Sequence, residues 1–235
     1  MFCIKISDLV IAIENRYSYL PFLCRQFIIP DCAADLTISV TDEEIERERS
    51  NSSNNSLAYC ESLAVYRKIS RQMLSYDAFL MHAAVIAVDG KAYAFAARSG
   101  TGKTTHIRLW QQRFGDQVEV INGDKPIIRK IDGRFYACGT PWRGKEGMGS
   151  SLCCPLQAIC FVERGEKNRI RRLTQHEVIG RIFKQLLMPQ EESEIDPYMD
   201  LIDKMLQSVE YYLLQCTPEN EAAKVAYEGM VEGKC

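Results

Sequence analysis

Long apolar runs are missing from this sequence. No hydrophobic stretch approaches the roughly 20 residues that a helix needs to cross a bilayer. The first eight residues also lack a basic segment followed by a long apolar stretch, which is the pattern of a secretory signal. We therefore expect a cytoplasmic protein that does not use a membrane as a partner.

An excess of charge of one sign is also missing. The 235 residues carry 29 Lys and Arg against 31 Asp and Glu, for a formal net charge of −2. Proteins that bind nucleic acid or anionic lipid usually present clustered basic residues. The composition therefore predicts neither nucleic acid nor membrane as the main partner.

Metal-ligand spacing is absent as well. The ten cysteines are scattered without a Cys-x-x-Cys pair, and the three histidines do not stand at zinc-ligand distances from them. Several cysteines lie in apolar runs, as Cys160 does. We interpret them as buried reduced thiols, with a disulfide framework or a metal site as the disfavoured alternatives.

The length fits one domain with a small N-terminal addition. Residues 36–40 alternate between apolar and polar, as a half-buried strand does. Thr41 and Glu44 then form a capping-box pattern that opens a short charged helix reaching Arg49. The polar tract 50–56 is the best linker candidate. We predict a small β-rich segment at 1–56 and a second, larger domain at 57–235.

Strands and helices alternate in the remaining chain. Asp89-Gly90 between two β-prone runs is a strong hairpin signal, and Asp132-Gly133 repeats it. The predicted helices are 57–77, 103–113, 174–188, 197–208 and 218–231. The predicted strands are 84–88, 91–96, 118–121, a hairpin over 127–138, 156–162 and 211–214, with a Gly-rich loop at 139–151. This order predicts an α/β fold with a mixed β-sheet and flanking helices.

The strongest motif is a phosphate-loop octet between a predicted strand and a predicted helix. Gly100 and Gly102 allow positive φ, so the backbone can curl around an anion, and the following helix N-terminus adds partial positive charge. Lys103 is expected on the β- and γ-phosphates, and the Thr104 hydroxyl on Mg²⁺. Ala97 replaces the usual first glycine, which requires a negative φ there. The alternative is a Gly-rich turn with an exposed lysine, and the strand–loop–helix context disfavours it.

Asp124 is the acidic partner expected for this loop. It closes the strand 118–121, and the carboxyl ends of strands in α/β sheets face a common crevice. There a carboxylate can hold the metal or accept a proton from an attacking hydroxyl. The alternative is a turn-forming aspartate, because Asn-Gly-Asp is also turn chemistry.

At these residues the sequence resembles the HPr kinase/phosphorylase family and its structural relative phosphoenolpyruvate carboxykinase. The resemblance covers roughly 80–190. It is carried by Ser99-Gly100-Thr101-Gly102-Lys103-Thr104-Thr105, Met81-His82-Ala83-Ala84, Ile121-Asn122-Gly123-Asp124, Gly139-Thr140-Pro141-Trp142-Arg143-Gly144-Lys145-Glu146, Pro155-Leu156-Gln157-Ala158-Ile159 and Glu163-Arg164-Gly165. It implies a carboxykinase/HPr kinase-like P-loop core that uses ATP, or another nucleoside triphosphate, and Mg²⁺.

The resemblance also implies roles for single residues. His82 matches the active-site histidine, Asp124 the proton-accepting aspartate and a metal partner, and Thr104 the other metal ligand. The nucleotide-binding residues are Ser99, Gly100, Thr101, Gly102, Lys103, Thr104 and Thr105. Two features depart from the family: Gly123 stands where a second acid would precede Asp124, and Pro141 where a glutamate would precede Arg143-Gly144.

Other candidates surround this core. Arg143 and Lys145, in the Gly-rich loop, suit stabilisation of phosphoryl charge, with a solvated basic loop as the equal alternative. Glu146 could replace the missing acid. His106 is expected to be structural or peripheral, and Trp142 either covers the nucleotide or packs.

These residues predict that 57–235 is a nucleotide-binding, kinase-like domain. The leading hypothesis is a kinase that phosphorylates a serine-type hydroxyl in a protein, a peptide or a free amino acid. The alternative is a non-catalytic nucleotide-binding module that assists a partner protein. A carboxykinase acting on oxaloacetate is disfavoured, because that enzyme is far larger. The helices after 190 could support a homo-oligomer interface.

Overall fold

The structure is a computed structural model that describes residues 1–30, 33–51 and 55–233. In these ranges the chain forms an α/β fold with two sheets and flanking helices. The strands are β1 (Phe2–Ile6), β2 (Leu9–Ile13), β3 (Ile28–Ile29), β4 (Leu36–Ile38), β5 (Ala78–Leu80), β6 (Ala84–Val88), β7 (Lys91–Ala96), β8 (Glu119–Asn122), β9 (Ile127–Ile131), β10 (Arg134–Cys138), β11 (Cys153–Arg164), β12 (Arg169–Arg172) and β13 (Glu210–Cys216). The helices are α1 (Tyr19–Cys24), α2 (Asp42–Ser50), α3 (Leu57–Gln72), α4 (Lys103–Phe114), α5 (Gln175–Ile182), α6 (Glu192–Ser208) and α7 (Glu221–Met230).

The N-terminal sheet has the strand order β3-β1-β2-β4. Strands β1 and β2 are antiparallel and joined by Ser7 and Asp8, which both have positive φ, as a tight hairpin turn requires. Isoleucines at alternate positions, such as Ile4 and Ile6 on β1, are buried. The alternation that the sequence shows at 36–40 is present in β4, where Leu36 and Ile38 are buried and the residue between them is exposed.

The two helices that follow begin where the sequence predicts. Thr41 caps α2 in a complete capping box with Glu44, and Ser56 caps α3 by accepting a hydrogen bond from Tyr59 N. A short 3-10 turn at Met73–Tyr76 extends α3, so the predicted helix over 57–77 is matched. In the candidate linker 50–56, residues 52–54 lie outside the described part of the chain.

The large sheet is mixed, as predicted. Its path runs β5-β9-β10-β11-β7-β6-β8, and β13 pairs with β11 and β12. Strand β11 is parallel to both of its neighbours β7 and β13. Strand β6 is antiparallel to both β7 and β8, so β8 points in the same direction as β7 but is separated from it by β6 in the sheet. Both Asp-Gly hairpins form, with positive φ at Asp89 and Asp132.

The two faces of this sheet are covered by different helices. On β7, Ala92 and Ala94 belong to the core that includes α5 and α6. Tyr93 and Phe95, which alternate with them, belong to the core that includes α4 and α7. The period of two in the strand sequence therefore distributes small and large side chains between the faces.

The N-terminal sheet and the large sheet share a third core. It joins Ile69 of α3 and Ile11 of β2 to Leu80, Ile127 and Trp142 of the large-sheet region. Helix α3 thus packs on the N-terminal sheet, although it follows the candidate linker. The division into 1–56 and 57–235 remains a prediction.

The structure corrects three sequence-based expectations. Helix α5 ends at Ile182 rather than near Met188, because the following backbone turns and pairs with the segment before β6: His82 N donates to Gln185 O at 2.7 Å. Strand β11 extends beyond 156–162, because its first residues pair with β10. Cys138 and Cys153 stand opposite each other in that pairing and form a disulfide, so the expectation of reduced thiols is wrong for this pair. No helix in the described ranges combines the length and apolar character of a membrane span.

Candidate functional site

The loop 97–102 connects the end of β7 to the start of α4. Gly100 has a φ of +77° and Gly102 a φ of +125°, conformations that side chains with a Cβ rarely adopt. Gly102 is the residue before the first helical turn, so the free N–H groups of that turn face the loop. Ala97 is not among the positive-φ residues of the described chain, as an alanine at this position requires.

Lys103 folds back over the loop. Its side chain is largely buried at 8% exposure, and Nζ donates to Ala97 O at 3.2 Å. The same nitrogen lies 3.0 Å from His82 Nε2. Burial lowers the pKa of Lys103, and the negative charge of Asp124 partly opposes this. The ammonium therefore stands at the loop with its charge only partly compensated.

His82 lies between Lys103 and Asp124. Its Nε2 is 3.3 Å from Asp124 Oδ1 and also within hydrogen-bond distance of Lys103 Nζ. A ring nitrogen is either a donor or an acceptor, so Nε2 can accept from Lys103 or donate to Asp124, but not both. The imidazole thus links the cation of the loop to the carboxylate across from it.

A buried asparagine fixes the turn that carries Asp124. Asn122, at the end of β8, is fully buried, and its Oδ1 accepts from Asp124 N at 2.9 Å and from Lys125 N at 2.7 Å. Its Nδ2 donates to Thr140 O and Thr140 Oγ1, each at 3.1 Å. Neither Asn122 nor Thr140 was predicted from the sequence to have a role in the site. The signal that could have found Asn122 is a polar side chain at the buried end of an apolar strand.

Asp124 is ionised in this environment. Burial acts to raise its pKa, but the hydrogen bond from His82 and the charges of Lys125, His82 and Lys103 outweigh burial, so the pKa of Asp124 lies below its usual value. The carboxylate and the loop both follow the carboxyl ends of their strands, β8 and β7, and these ends lie on the same side of the sheet because the two strands point the same way. They are separated by β6, so the strand carrying Asp124 is not the immediate neighbour of the loop strand.

The segment 139–151 forms a Gly-rich loop, as predicted, and lies against Asp124. Gly144 has a φ of +73°, and a Cβ there would stand 3.0 Å from Asp124 Cβ. Only glycine lets the loop approach the aspartate this closely. Glu146, the candidate second acid, is instead ion-paired with Arg108 of α4. Lys145 is exposed at the cleft.

Arg143 extends from this loop toward the N-terminal sheet. Its guanidinium carbon lies 5.3 Å from the ring centre of Phe27, and its buried Nε has no hydrogen-bond partner among the described residues. Burial, followed by the positive charge of Arg25, lowers the pKa of Arg143. This side chain is a cation available to an anionic ligand.

Two further side chains complete the surroundings of Asp124. Trp142 packs: it is buried, its indole N–H donates to Ser62 O at 3.0 Å, and its ring lies 5.2 Å from that of Tyr66. Lys125, which was not predicted as a site residue, places Nζ 4.7 Å from the Tyr66 ring. Burial lowers the pKa of Lys125 despite the attraction of Asp124.

The loop, Asp124 and the Gly-rich segment line one cleft of about 910 Å³. Of the predicted site residues it brings together His82, Ser99, Gly100, Gly102, Lys103, Thr104, Thr105, Asp124, Arg143 and Lys145. Thr101 does not line it and faces a neighbouring cavity instead. The opposite wall comes from the N-terminal region, with Tyr19 and Leu23 of α1 and Tyr59 and Leu63 of α3. This aromatic and apolar wall was not predicted from the sequence.

The cleft offers few protein ligands to a metal. Thr104 can supply a hydroxyl and Asp124 a carboxylate. No three His, Cys, Asp or Glu side chains of residues 1–30, 33–51 and 55–233 converge on a metal position. This donor set fits Mg²⁺, which takes one or two protein ligands and otherwise water and phosphate oxygens. His106 lies outside the cleft: burial lowers its pKa to about 3, and the Trp110 indole N–H donates to its Nε2 at 2.9 Å.

The chain matches no known family profile, and no curated protein sequence matches it. Among solved structures it is similar to the Hpr(Ser) kinase/phosphatase from Coxiella burnetii. The alignment has a TM-score of 0.40 and 6% sequence identity, and it covers 66% of this chain and 99% of that one.

Proposed function

We propose that this protein is a Mg²⁺-dependent kinase that transfers the γ-phosphoryl group of ATP, or of another nucleoside triphosphate, to a serine-type hydroxyl. The acceptor is a protein, a peptide or a free amino acid. The observation that carries the proposal is the contact chain Lys103–His82–Asp124, with separations of 3.0 and 3.3 Å, beside a loop with two positive-φ glycines. We also propose that its core is a P-loop core of the carboxykinase/HPr kinase type.

Each group has a role in this proposal. Residues 99–105 bind the phosphates through backbone N–H groups and the Lys103 ammonium. Thr104 and Asp124 would hold Mg²⁺ together with phosphate oxygens and water, and the ion would neutralise phosphate charge. His82 orients Asp124. Arg143 and Lys145 stabilise the negative charge of the transferred group.

The transfer step is an in-line displacement. The acceptor oxygen forms a bond to the γ-phosphorus while the bond from that phosphorus to the bridging oxygen breaks. The nucleoside diphosphate leaves with the electron pair of the broken bond. Asp124 accepts the proton of the hydroxyl, for which its ionised state is suited.

The test uses ATP labelled at the γ-phosphate, Mg²⁺, free serine and pools of serine-containing peptides. We expect labelled product with the unaltered protein, and a loss of at least about 100-fold in Lys103→Ala and in Asp124→Asn. Lys91→Ala and Asp132→Asn are matched controls, because Lys91 is the first residue of β7, Asp132 lies in a hairpin turn, and neither lines the cleft. Retained transfer in both cleft variants contradicts the proposal.

A second candidate function is a nucleotide-binding module without catalysis. Two observations favour it: Asp124 is the one acid available at the loop among the described cleft residues, and Glu146 is tied to Arg108. Calorimetric binding of ATP without product from any hydroxyl compound supports this candidate over the kinase.

A further inference from the structure

A second cavity lies on the other side of the loop from the cleft. Its volume is about 410 Å³, and Gly100, Gly102 and Thr105 line both spaces. Any ligand that is held by the backbone of this loop can therefore extend in two directions. One leads to Asp124 and the other into this second cavity.

The second cavity stands at the carboxyl ends of two parallel strands. Val162 at the end of β11 and Cys216 at the end of β13 line it. Strand β7, which leads into the loop, is parallel to β11. In α/β sheets ligands bind in the crevice outside the carboxyl ends of parallel strands, and a cavity of this volume lies in the range of small-molecule sites.

The second cavity is much less charged than the cleft. Leu109, Val162, Cys216 and Pro218 give it carbon and sulfur surface. His106 also lines it, but this residue is almost wholly buried and adds no charge, because burial lowers its pKa to about 3.

The charged side chains at the edge of this cavity already have protein partners. Arg164 donates to Gly100 O at 2.8 Å, and Glu163 pairs with Arg181 at 3.1 Å. The cleft, in contrast, contains the cations Lys103, Lys125 and Arg143. Apolar walls beside a phosphate site suit a flat heterocycle, whereas the charged cleft suits phosphoryl transfer.

We propose that the nucleoside part of the phosphate donor occupies this second cavity, with its phosphates passing over the loop to Lys103. This inference rests on the nucleotide binding in the proposed function. It assigns the donor to the class of nucleotides rather than inorganic pyrophosphate or polyphosphate. It also leaves the cleft of about 910 Å³, with the wall of Tyr19 and Tyr59, to the acceptor.

The first test fills the cavity. Calorimetry measures the binding of Mg²⁺–ATP and of Mg²⁺–tripolyphosphate, which has no nucleoside, to the unaltered protein, Cys216→Trp and Gln215→Trp. We expect Cys216→Trp to weaken ATP binding about tenfold or more and to leave tripolyphosphate binding unchanged. Gln215 is exposed and outside the cavity, so Gln215→Trp should alter neither. Equal weakening of both ligands, or no weakening of ATP, overturns the inference.

A second test uses the unaltered protein and so does not depend on how the variant folds. Light-activated 8-azido-ATP is bound, and the labelled peptide is identified by mass spectrometry. We expect labelling within 162–165 or 216–218, or at His106 or Leu109, which line this cavity and not the cleft. Labelling within 19–23 or 59–63, the aromatic wall of the cleft, or in any segment that does not line the second cavity overturns the inference.

The two tests separate this inference from the proposed kinase activity. Labelling at 162–165 or 216–218 without phosphoryl transfer supports the nucleoside position and counts against the kinase. Phosphoryl transfer with labelling in the cleft wall supports the kinase and overturns the proposed position of the nucleoside.

Discussion

At the scale of single residues, the candidate site depends on which hydrogen bond His82 Nε2 makes, because Lys103 and Asp124 are both within reach of it. His82 Nε2 lies 3.0 Å from Lys103 Nζ and 3.3 Å from Asp124 Oδ1. A phosphate that draws Lys103 away would free Nε2 to donate to Asp124. The hydrogen bond from His82 is a named cause of the lowered pKa of Asp124, so the state of the histidine affects the proposed base.

This coupling predicts a shifted pH profile for His82→Ala. The hydrogen bond from His82 lowers the pKa of Asp124, so its removal raises that pKa. Because the proposed base must be ionised, activity should then be lost at a higher pH as the solution is acidified. We expect the acid limb of kcat/KM to move to higher pH and kcat to fall about 10- to 100-fold. An exposed histidine provides the control His176→Ala, and an unmoved acid limb in His82→Ala contradicts the coupling.

The hydrogen bonds of Asn122 predict that this residue stabilises the folded protein. Its buried amide satisfies two backbone N–H groups and donates to Thr140, so Asn122→Ala leaves buried polar groups without partners. We expect the free energy of unfolding to fall by about 2 kcal/mol or more, measured by urea denaturation. Asn220→Ala is the control, because that exposed residue makes no capping hydrogen bond at α7. Equal small losses in both variants would show that the turn does not depend on Asn122.

At the scale of elements, the loop 139–151 and the turn after β8 are built against each other. Gly123 N donates to Met148 O at 2.9 Å, and Ser150 N donates to Ile121 O at 3.1 Å. The disulfide between Cys138 and Cys153 joins the two strands from which this loop leaves. A long loop is thereby held at its base and along its length next to Asp124.

Substitutions at two glycines of this loop can distinguish the effect of backbone strain from the effect of steric crowding against Asp124. Gly144 and Gly147 both have positive φ, but only at Gly144 would a Cβ meet Asp124, at 3.0 Å. Each Gly→Ala variant should lose about 1–2 kcal/mol of stability through strain, as measured by thermal or urea unfolding. We expect Gly144→Ala also to lower phosphoryl transfer, while Gly147→Ala retains it. Equal activities in the two variants would mean that this contact does not position Asp124.

At the scale of the whole molecule, helix α1 lines the cleft, and the N-terminal sheet shares a core with the large sheet. Tyr19 and Leu23 line the cleft, and Trp142 packs in the same core as Ile11 and Ile69. The N-terminal segment therefore contributes to the site by forming the wall opposite the loop.

The shared core predicts cooperative unfolding. The two tryptophans report different regions, since Trp142 lies in the core shared by the two sheets and Trp110 in the core between the large sheet and α4. In Trp110→Phe and in Trp142→Phe, we expect the fluorescence of the remaining tryptophan and the far-UV circular dichroism to change at the same urea concentration. If Trp142 fluorescence changes first, the N-terminal region is a separate unit and the predicted division at 56/57 gains support.

Local signals in the sequence were sufficient where local physics decides the structure. The capping box at Thr41, the Asp-Gly turns at Asp89 and Asp132, and the start of α4 at Lys103 all depend on residues within a few positions of each other. The order of strands and helices likewise predicted the mixed α/β class. The roles of the site residues remain predictions, although ten of those named line one cleft.

Only the tertiary structure decided what depends on distant residues. The disulfide follows from the register of β10 and β11, and the early end of α5 from the pairing of the backbone after it with the segment before β6. The aromatic wall of the cleft follows from α1 and α3 meeting across from the loop. No local pattern encodes these features, because each arises from contacts between segments far apart in the chain, whose relative positions are fixed by the packing of the whole fold.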